Sequence, residues 1–322
     1  MNNSVLRVEK LSTYFFTENG VVRAVDDVSL VVNENEVVGV VGESGCGKST
    51  LATSIVRLVQ PPGRIIKGSV LFKGLNLLEL PEEKMRKIRG KRISMVFQNP
   101  ASYLNPLLTI EEQMTEAMIL HLGLSRKTAV ERSIEILRRL GIFSPETVIK
   151  YYPHQLSGGM KQRVMIGMAV SCDPELVIAD EPTTALDPTI QVQILDLLLE
   201  LRRSLGLSMI VITHDLGVAR AVCDRIYVMY AGKIVEEGRV DEVFDRPLHP
   251  YTYGLMESAL SIYDKDRPVK YVDGAPPKLV EELKGCYFAN RCFKRVERCM
   301  VEFPNPSSKD GRTVYCWNPV EG

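Results

Sequence analysis

Nine residues near the N-terminus decide the fold: Gly42-Glu43-Ser44-Gly45-Cys46-Gly47-Lys48-Ser49-Thr50. The valine-rich residues 36–41 before them predict a short buried strand, and residues 49–58 after them predict a helix. A glycine-rich turn in this setting cradles phosphate groups, because its backbone N–H groups and the helix N-terminus point at the anion. Lys48 is placed to reach the phosphates and Ser49 to bind Mg²⁺. The stretch therefore predicts a nucleotide site, since a glycine turn followed by an unrelated surface lysine would not need both flanking elements.

The composition is ordinary for a globular protein and argues against several classes of protein. With 322 residues, the chain is long for a single core, which predicts one large domain with an appendage. The 40 basic and 40 acidic residues balance, which argues against nucleic acid as a partner. No apolar run reaches the roughly 18 residues of a transmembrane helix. No signal peptide is evident, so the expected compartment is the cytoplasm.

The chain alternates between strand-like and helix-like segments. A turn at 18–20 separates two β-rich segments, which predicts an antiparallel pair. Two amphipathic helical patterns between 109 and 139 stand inside a strand-rich chain, which predicts an inserted helical subdomain at about 100–170. Because the composition shifts after position 245, we predict one domain at 1–245 and a C-terminal extension at 246–322.

Polar residues follow three predicted strands, at the edge where parallel sheets bind ligands. Asp180 can hold Mg²⁺ through water, and Glu181 can polarise an attacking water. His214 can contact the γ-phosphate or that water, and Gln98 can contact Mg²⁺ or water. Each alone has an ordinary structural explanation. Together with the phosphate loop they predict one ATP-hydrolysis site.

A second anion site is predicted at Ser157-Gly158-Gly159, which opens a helix. Ser157 can cap that helix, and the two glycines expose backbone N–H groups at its start. One chain does not need two γ-phosphate sites, so this one is expected to face the nucleotide of a second subunit. The alternative is an ordinary helix start, which the helix-destabilising glycines disfavour.

Two further clusters have more than one interpretation. One of the aromatic residues Tyr14, Phe15 and Phe16 is a candidate to stack on a base, although plain strand packing also explains them.

Four cysteines lie in the last 37 residues, at Cys286, Cys292, Cys299 and Cys316. In a reducing compartment such a cluster favours a metal over disulfides. Their wide spacing lacks the close pairs of zinc sites and favours a [4Fe-4S] cluster, with Zn²⁺ or no metal as alternatives.

These motifs together resemble the motif set of ABC-transporter ATPases, over about residues 5–240. The resemblance implies an α/β fold of the P-loop NTPase class (ABC-type). Its parts would be a RecA-like core, an N-terminal antiparallel β-subdomain, an inserted helical subdomain and, here, a small Cys-rich C-terminal extension. It also implies a set of ATP-binding residues: Phe15 on the adenine, Gly42, Ser44, Gly45, Cys46, Gly47, Lys48, Ser49 and Thr50 on the phosphates, and Gln98 and Asp180 beside them.

The resemblance further implies a role for each remaining motif residue. Ser49, Gln98 and Asp180 would hold Mg²⁺, Glu181 would be the catalytic base, and His214 would be the switch histidine, with Gln98 sensing the γ-phosphate. The residues that would act across a dimer interface are Ser157, Gly158, Gly159 and Asp187.

A narrower similarity, to the oligopeptide/dipeptide/nickel branch of ABC importers, rests on Phe97-Gln98-Asn99-Pro100, on His249-Pro250-Tyr251-Thr252 and on the cysteine-bearing tail. It implies an ATPase peripheral to the cytoplasmic face of the membrane. The implied partners are two transmembrane permease subunits, a second ATPase subunit (identical or homologous) and, indirectly, an extracytoplasmic solute-binding protein. Peptides are the expected solute, with nickel or oligosaccharides as alternatives. The alternative from another class is a soluble ABC ATPase outside transport, and a small-molecule kinase would leave residues 156–163 unexplained.

Overall fold

The computed structural model describes residues 4–184, 186–263, 272–280 and 283–320. Within them the strands are β1 (Ser4–Thr17), β2 (Gly20–Asn33), β3 (Val37–Val41), β4 (Gly63–Phe72), β5 (Leu75–Asn76), β6 (Ile93–Val96), β7 (Leu176–Asp180), β8 (Ser208–Thr213), β9 (Arg225–Tyr230), β10 (Lys233–Arg239), β11 (Ser307–Lys309) and β12 (Arg312–Val314). The α-helices are α1 (Lys48–Ile55), α2 (Glu82–Arg86), α3 (Pro100–Tyr103), α4 (Ile110–Leu122), α5 (Arg126–Arg139), α6 (Pro145–Val148), α7 (Gly158–Val170), α8 (Pro188–Leu205), α9 (Leu216–Val222), α10 (Val240–Asp245) and α11 (Pro250–Tyr263).

The chain divides into two compact units. The first contains Met1–Val32, Val37–Leu78 and Ile212–Gly322, and the second contains Asn33–Glu36 and Glu79–Val211. Within the described residues, no helix is both long enough and apolar enough to cross a bilayer.

The first unit begins with a four-stranded antiparallel sheet in the order β2-β1-β4-β5. The predicted turn at 18–20 joins β1 to β2. Register shifts in the β1–β4 pairing break the usual alternation, so Leu11, Ser12 and Thr13 are all buried. A buried hydrogen bond between the hydroxyls of Thr13 and Ser54, 2.7 Å long, joins this sheet to α1.

The first unit also holds strands in the order β11-β12-β10-β9-β3. β3 is parallel to β9, and all five of its residues are buried, as expected for a strand covered on both faces. The phosphate loop leaves the end of β3 and leads into α1, which ends at Ile55 rather than at the predicted position 58 because Arg57 takes a φ of 56°. In the tail, β12 pairs antiparallel with β10. The domain boundary at 245 stays a prediction.

The second unit holds the parallel strands β6 and β7, residues 208–211 of β8 next to β7, and helices that include α3–α8. Local signals fix the helix limits: Thr109 forms a capping box at the start of α4, Gly123 ends that helix in a left-handed conformation, and Ser125 caps α5. These helices enclose an apolar cluster that includes Leu104, Ile110, Met114, Leu137, Ile142, Leu156 and Val164.

Candidate nucleotide-binding and hydrolysis site

Glycines shape the phosphate loop because no side chain fits at two of its positions. Gly42 and Gly47 take φ values of 155° and 105°. A Cβ at Gly47 would stand 1.9 Å from the carbonyl oxygen of Ala24, and one at Gly42 would stand 2.1 Å from that of Met229. The backbone can therefore curl tightly here only without side chains, which leaves its N–H groups available to a phosphate.

Lys48 lies inside this curl. Its side chain is only 5% exposed, and its Nζ donates to the carbonyl oxygens of Gly42 (2.8 Å) and Glu43 (3.0 Å). A third contact, of 3.8 Å, reaches the Sγ of Cys46. Lys48 is thus held over the loop by neutral groups, and an anionic phosphate would be a stronger partner for the same ammonium group.

The remaining loop residues differ in their exposure to solvent. Ser44, Gly45 and Ser49 are exposed, and Thr50 is half-buried at the start of α1. Cys46 is buried, and burial raises the pKa of its thiol. These positions fit the predicted contacts with phosphate and Mg²⁺, which stay predictions.

The three candidate aromatic rings differ in their surroundings. Tyr14 donates its hydroxyl to Asp26 at 2.8 Å, and burial raises its pKa to about 12. Phe15 is half-buried and paired across the sheet with Gly63. Phe16 is 44% exposed and lies under the guanidinium of Arg64. The placement of adenine on Phe15 remains a prediction.

His214 follows the last residue of β8 and is exposed. The residues on either side hold its backbone: Asp215 donates its N–H to the Thr213 hydroxyl at 2.9 Å and accepts from Gly217 and Val218 to cap α9. His214 therefore presents its imidazole from a fixed strand end in the first unit.

In the second unit, Glu181 is the centre of a small polar group. The side-chain amide of Gln98 donates to its Oε2 at 2.7 Å, and the Thr184 hydroxyl donates to the same oxygen at 2.8 Å. Glu181 is 8% exposed and has a φ of 47°, which is uncommon for a non-glycine residue and often marks a functional position. Asp180, at the end of β7, is 5% exposed.

The structure brings Gln98 and Glu181 together although 83 residues separate them. Their contact fits the hydrolysis role that the sequence assigns to both. Thr184 was missed by the sequence reasoning, and its position three residues after Glu181 is the signal that could have identified it.

The second predicted anion site is also in this unit. Ser157 caps α7 by accepting from the N–H of Met160 at 3.3 Å, and both Ser157 and Gly158 are exposed. A Cβ at Gly159 would stand 3.0 Å from the Cγ2 of Ile190, so α7 begins close to the start of α8. Asp187 caps α8 by accepting from the N–H of Ile190 at 3.0 Å. The two helix starts thus lie side by side.

The tail cysteines share one region of the first unit. Cys286 donates its N–H to the carbonyl of Cys299 at 2.7 Å. Burial, together with the charges of Cys286, Cys292 and Cys299, raises the pKa of the Cys316 thiol to about 12. In the described part of the chain, however, no group of three or more His, Cys, Asp or Glu side chains is arranged to hold a metal ion. The predicted metal site is not confirmed.

Comparison with known proteins identifies the class. Residues 25–184 match the ABC transporter family, and residues 235–299 match the C-terminal region of the oligopeptide/dipeptide transporter family. A dimeric ATP-binding cassette, MJ0796, solved in a post-hydrolysis state with ADP and phosphate, superposes with a TM-score of 0.66 at 30% identity, covering 73% of this chain and 98% of that one. The chain is an ABC-type ATPase, so the predicted fold class and activity are confirmed.

Two relatives narrow the family. A probable peptide ABC transporter ATP-binding protein of Sinorhizobium fredii is 46% identical, with 98% of this chain and 96% of the relative covered. The oligopeptide transport ATP-binding protein OppD of Salmonella typhimurium is 43% identical, with 99% and 95% covered. The chain therefore belongs to the oligopeptide/dipeptide transporter family of ABC ATP-binding proteins, as its sequence motifs predict.

Proposed function

We propose that this chain is the ATP-hydrolysing subunit of a peptide importer. Two ATPase subunits, identical or homologous, would enclose ATP and Mg²⁺ between them and drive two transmembrane permease subunits from the cytoplasmic face of the membrane. An extracytoplasmic solute-binding protein would deliver the peptide. The match of residues 235–299 to the C-terminal region of oligopeptide/dipeptide transporters is the observation that carries the substrate class.

Each site residue has a role in this proposal. Ser49, Gln98 and Asp180 would hold Mg²⁺, which would neutralise charge on the transferred phosphate. Glu181 would accept a proton from the attacking water, and the donors Gln98 and Thr184 would keep its carboxylate oriented. His214 would contact the γ-phosphate.

The exposed start of α7 supports the dimer. Ser157 and Gly158 are exposed and Gly159 is half-buried at the start of a 13-residue helix, where backbone N–H groups and the positive end of the helix dipole meet. A γ-phosphate bound on a second subunit would supply an anion for this helix start. Asp187, which caps the adjacent α8, would lie at the same interface.

Uptake in cells tests the substrate class. In a strain that lacks the chain, the wild-type protein should restore accumulation of a labelled tripeptide, and Glu181→Gln should not. Labelled nickel and a labelled oligosaccharide serve as the competing solutes. Restored uptake of either competitor, without the peptide, would replace peptide import with the corresponding alternative.

A narrower proposal concerns the tail. We propose that Cys286, Cys292, Cys299 and Cys316 bind a [4Fe-4S] cluster, for which Zn²⁺ is the competing occupant. Their sulfur donors and shared region support it, whereas the fit is incomplete because the four thiols do not stand in a coordinating arrangement.

Anaerobic purification decides between these occupants. A brown protein with a visible absorption band and with iron and sulfide bound is expected, and Cys299→Ser should remove all three signals. A colourless protein that contains zinc, or no metal, would contradict the cluster without affecting the ATPase assignment.

A further inference from the structure

One residue of the phosphate loop, Glu43, is held by the C-terminal part of the chain. Its backbone N–H donates to the hydroxyl oxygen of Tyr251 at 2.9 Å. Its carboxylate accepts two hydrogen bonds from Arg291, from Nη1 to Oε2 at 2.9 Å and from Nη2 to Oε1 at 3.0 Å. This is a bidentate pair between residues 248 positions apart in the sequence.

Arg291 is fixed more firmly than a surface ion pair would be. Its Nε donates to the carbonyl of Asp273 (2.7 Å), its Nη2 to that of Val272 (2.9 Å), and its Nη1 to the hydroxyl of Tyr230 (3.2 Å). With the two bonds to Glu43, these contacts equal the five N–H donors of a guanidinium. The side chain is only 7% exposed, so the contact with Glu43 is little screened by solvent.

Tyr251 is fixed from the opposite direction. It is fully buried, and its ring packs on Tyr230 at 4.5 Å between centroids. Its N–H donates to Nδ1 of His249, and the N–H of His249 donates in turn to the buried carboxylate of Glu236 on β10. The motif His249-Pro250-Tyr251-Thr252, which ATP chemistry leaves unexplained, thus links a strand of the sheet to the phosphate loop.

Glu43 contacts Lys48 as well as Tyr251 and Arg291. Lys48 Nζ donates to the carbonyl of Glu43, while Tyr251 accepts from its N–H and Arg291 pairs with its side chain. The position of Glu43 therefore sets the entry of the loop and the position of Lys48. A loop fixed before ATP arrives loses less conformational freedom on binding, which favours affinity.

We propose that Tyr251 and Arg291 are positioning residues of the nucleotide site, which act through Glu43 and make the C-terminal extension a requirement for tight ATP binding. The proposal rests on the proposed assignment of residues 42–50 as the phosphate loop. In this proposal neither Tyr251 nor Arg291 contacts ATP directly.

Equilibrium binding of a fluorescent ATP analogue to the full-length protein tests the proposal. Arg291→Gln and Glu43→Gln should each weaken binding by about tenfold, because each removes a charge-assisted contact. Arg291→Lys, which keeps the charge but not the bidentate geometry, should lie between wild type and Arg291→Gln. Tyr251→Phe, which removes only the hydroxyl, should also weaken binding.

The double variant Arg291→Gln/Glu43→Gln identifies the route. If Arg291 acts through Glu43, removing both side chains costs no more than removing one. The ATP affinity of the double variant should then equal that of whichever single variant binds ATP less tightly. In hydrolysis assays, KM for ATP should rise while kcat changes much less, because ATP once bound orders the loop. The matched control is Arg298→Gln, which breaks an exposed tail ion pair with Glu302 and should leave binding unchanged.

Different outcomes would contradict the positioning role of Tyr251 and Arg291 and the assignment of residues 42–50 as the phosphate loop. Additive losses in the double variant, or wild-type affinity in both Arg291→Gln and Tyr251→Phe, would overturn the positioning role. Equal losses in Arg298→Gln and Arg291→Gln would assign the effect to tail stability and would also overturn it. Wild-type affinity in Lys48→Ala would instead overturn the phosphate-loop assignment itself.

Discussion

Replacing Gly47 with alanine should disable the phosphate loop by a displacement that the structure fixes. The added Cβ would stand 1.9 Å from the carbonyl oxygen of Ala24, and real Cβ atoms essentially never come closer than 3.0 Å. The loop or β2 must therefore move by about 1.1 Å, the difference between these two distances. Because a displacement of about 1 Å in a binding or catalytic site can cost roughly a hundredfold in rate, Gly47→Ala should lower kcat/KM for ATP by about that factor.

Gly74→Ala is the matched control. Gly74 also has a positive φ, 81°, but its Cβ would meet nothing within 4 Å, so the substitution introduces backbone strain without a clash. It should cost about 1–2 kcal/mol of stability, visible as a lower Tm, and leave ATP binding intact. The assays are steady-state ATP hydrolysis, which gives kcat/KM, binding of a fluorescent ATP analogue, and thermal unfolding, all for both variants. Wild-type ATP affinity in Gly47→Ala, or equal loss of affinity in both variants, would refute the steric argument.

Two further substitutions test the interface and the buried polar groups. Ser157→Asp keeps a good helix cap but adds a negative charge, so Tm and ATP binding by the monomer should be unchanged while hydrolysis by the dimer slows. Ser157→Asn, which adds no charge, should slow hydrolysis less. Weakened ATP binding by the monomer would contradict the role of Ser157 in trans. Burial lowers the pKa of His249 from its usual 6.5 to about 3, so stability should be full above pH 6.5 and fall as the pH drops towards 3, by up to about 1.4 kcal/mol per pH unit. Urea unfolding at pH 7 and pH 5 measures that loss, and His249→Asn should reduce it; an undiminished loss in the variant would assign it to other groups.

The parts of the fold that local sequence determines were predicted well. The phosphate loop and the two amphipathic helices around Gly123 follow from capping residues and from the spacing of apolar residues. The limits of strands and short helices were less accurate, as at Arg57, where a left-handed residue ends α1 early. A positive φ at an arginine leaves no mark in the periodicity.

The site could be predicted as a set of motifs but not as a set of contacts. The sequence named Gln98 and Glu181, yet the hydrogen bond between them depends on how the chain brings distant segments together. The pairing of Arg291 with Glu43 could not be predicted, because the two residues are 248 positions apart and arginine is common in the tail. Such pairs become visible only when the tertiary structure is known.

The proposed mechanism depends most on Glu181 acting as the base of an ATP-dependent dimer. Glu181→Gln preserves the size of the side chain but removes the proton acceptor, so hydrolysis should fall by about a hundredfold or more. The molar mass of this variant in solution, measured with ATP and Mg²⁺ and again without them, is the most direct test. We expect a stable dimer with ATP, a monomer without it, and a monomer under both conditions when Lys48→Ala is added. Ordinary turnover by Glu181→Gln, or a mass that does not respond to ATP, would contradict it.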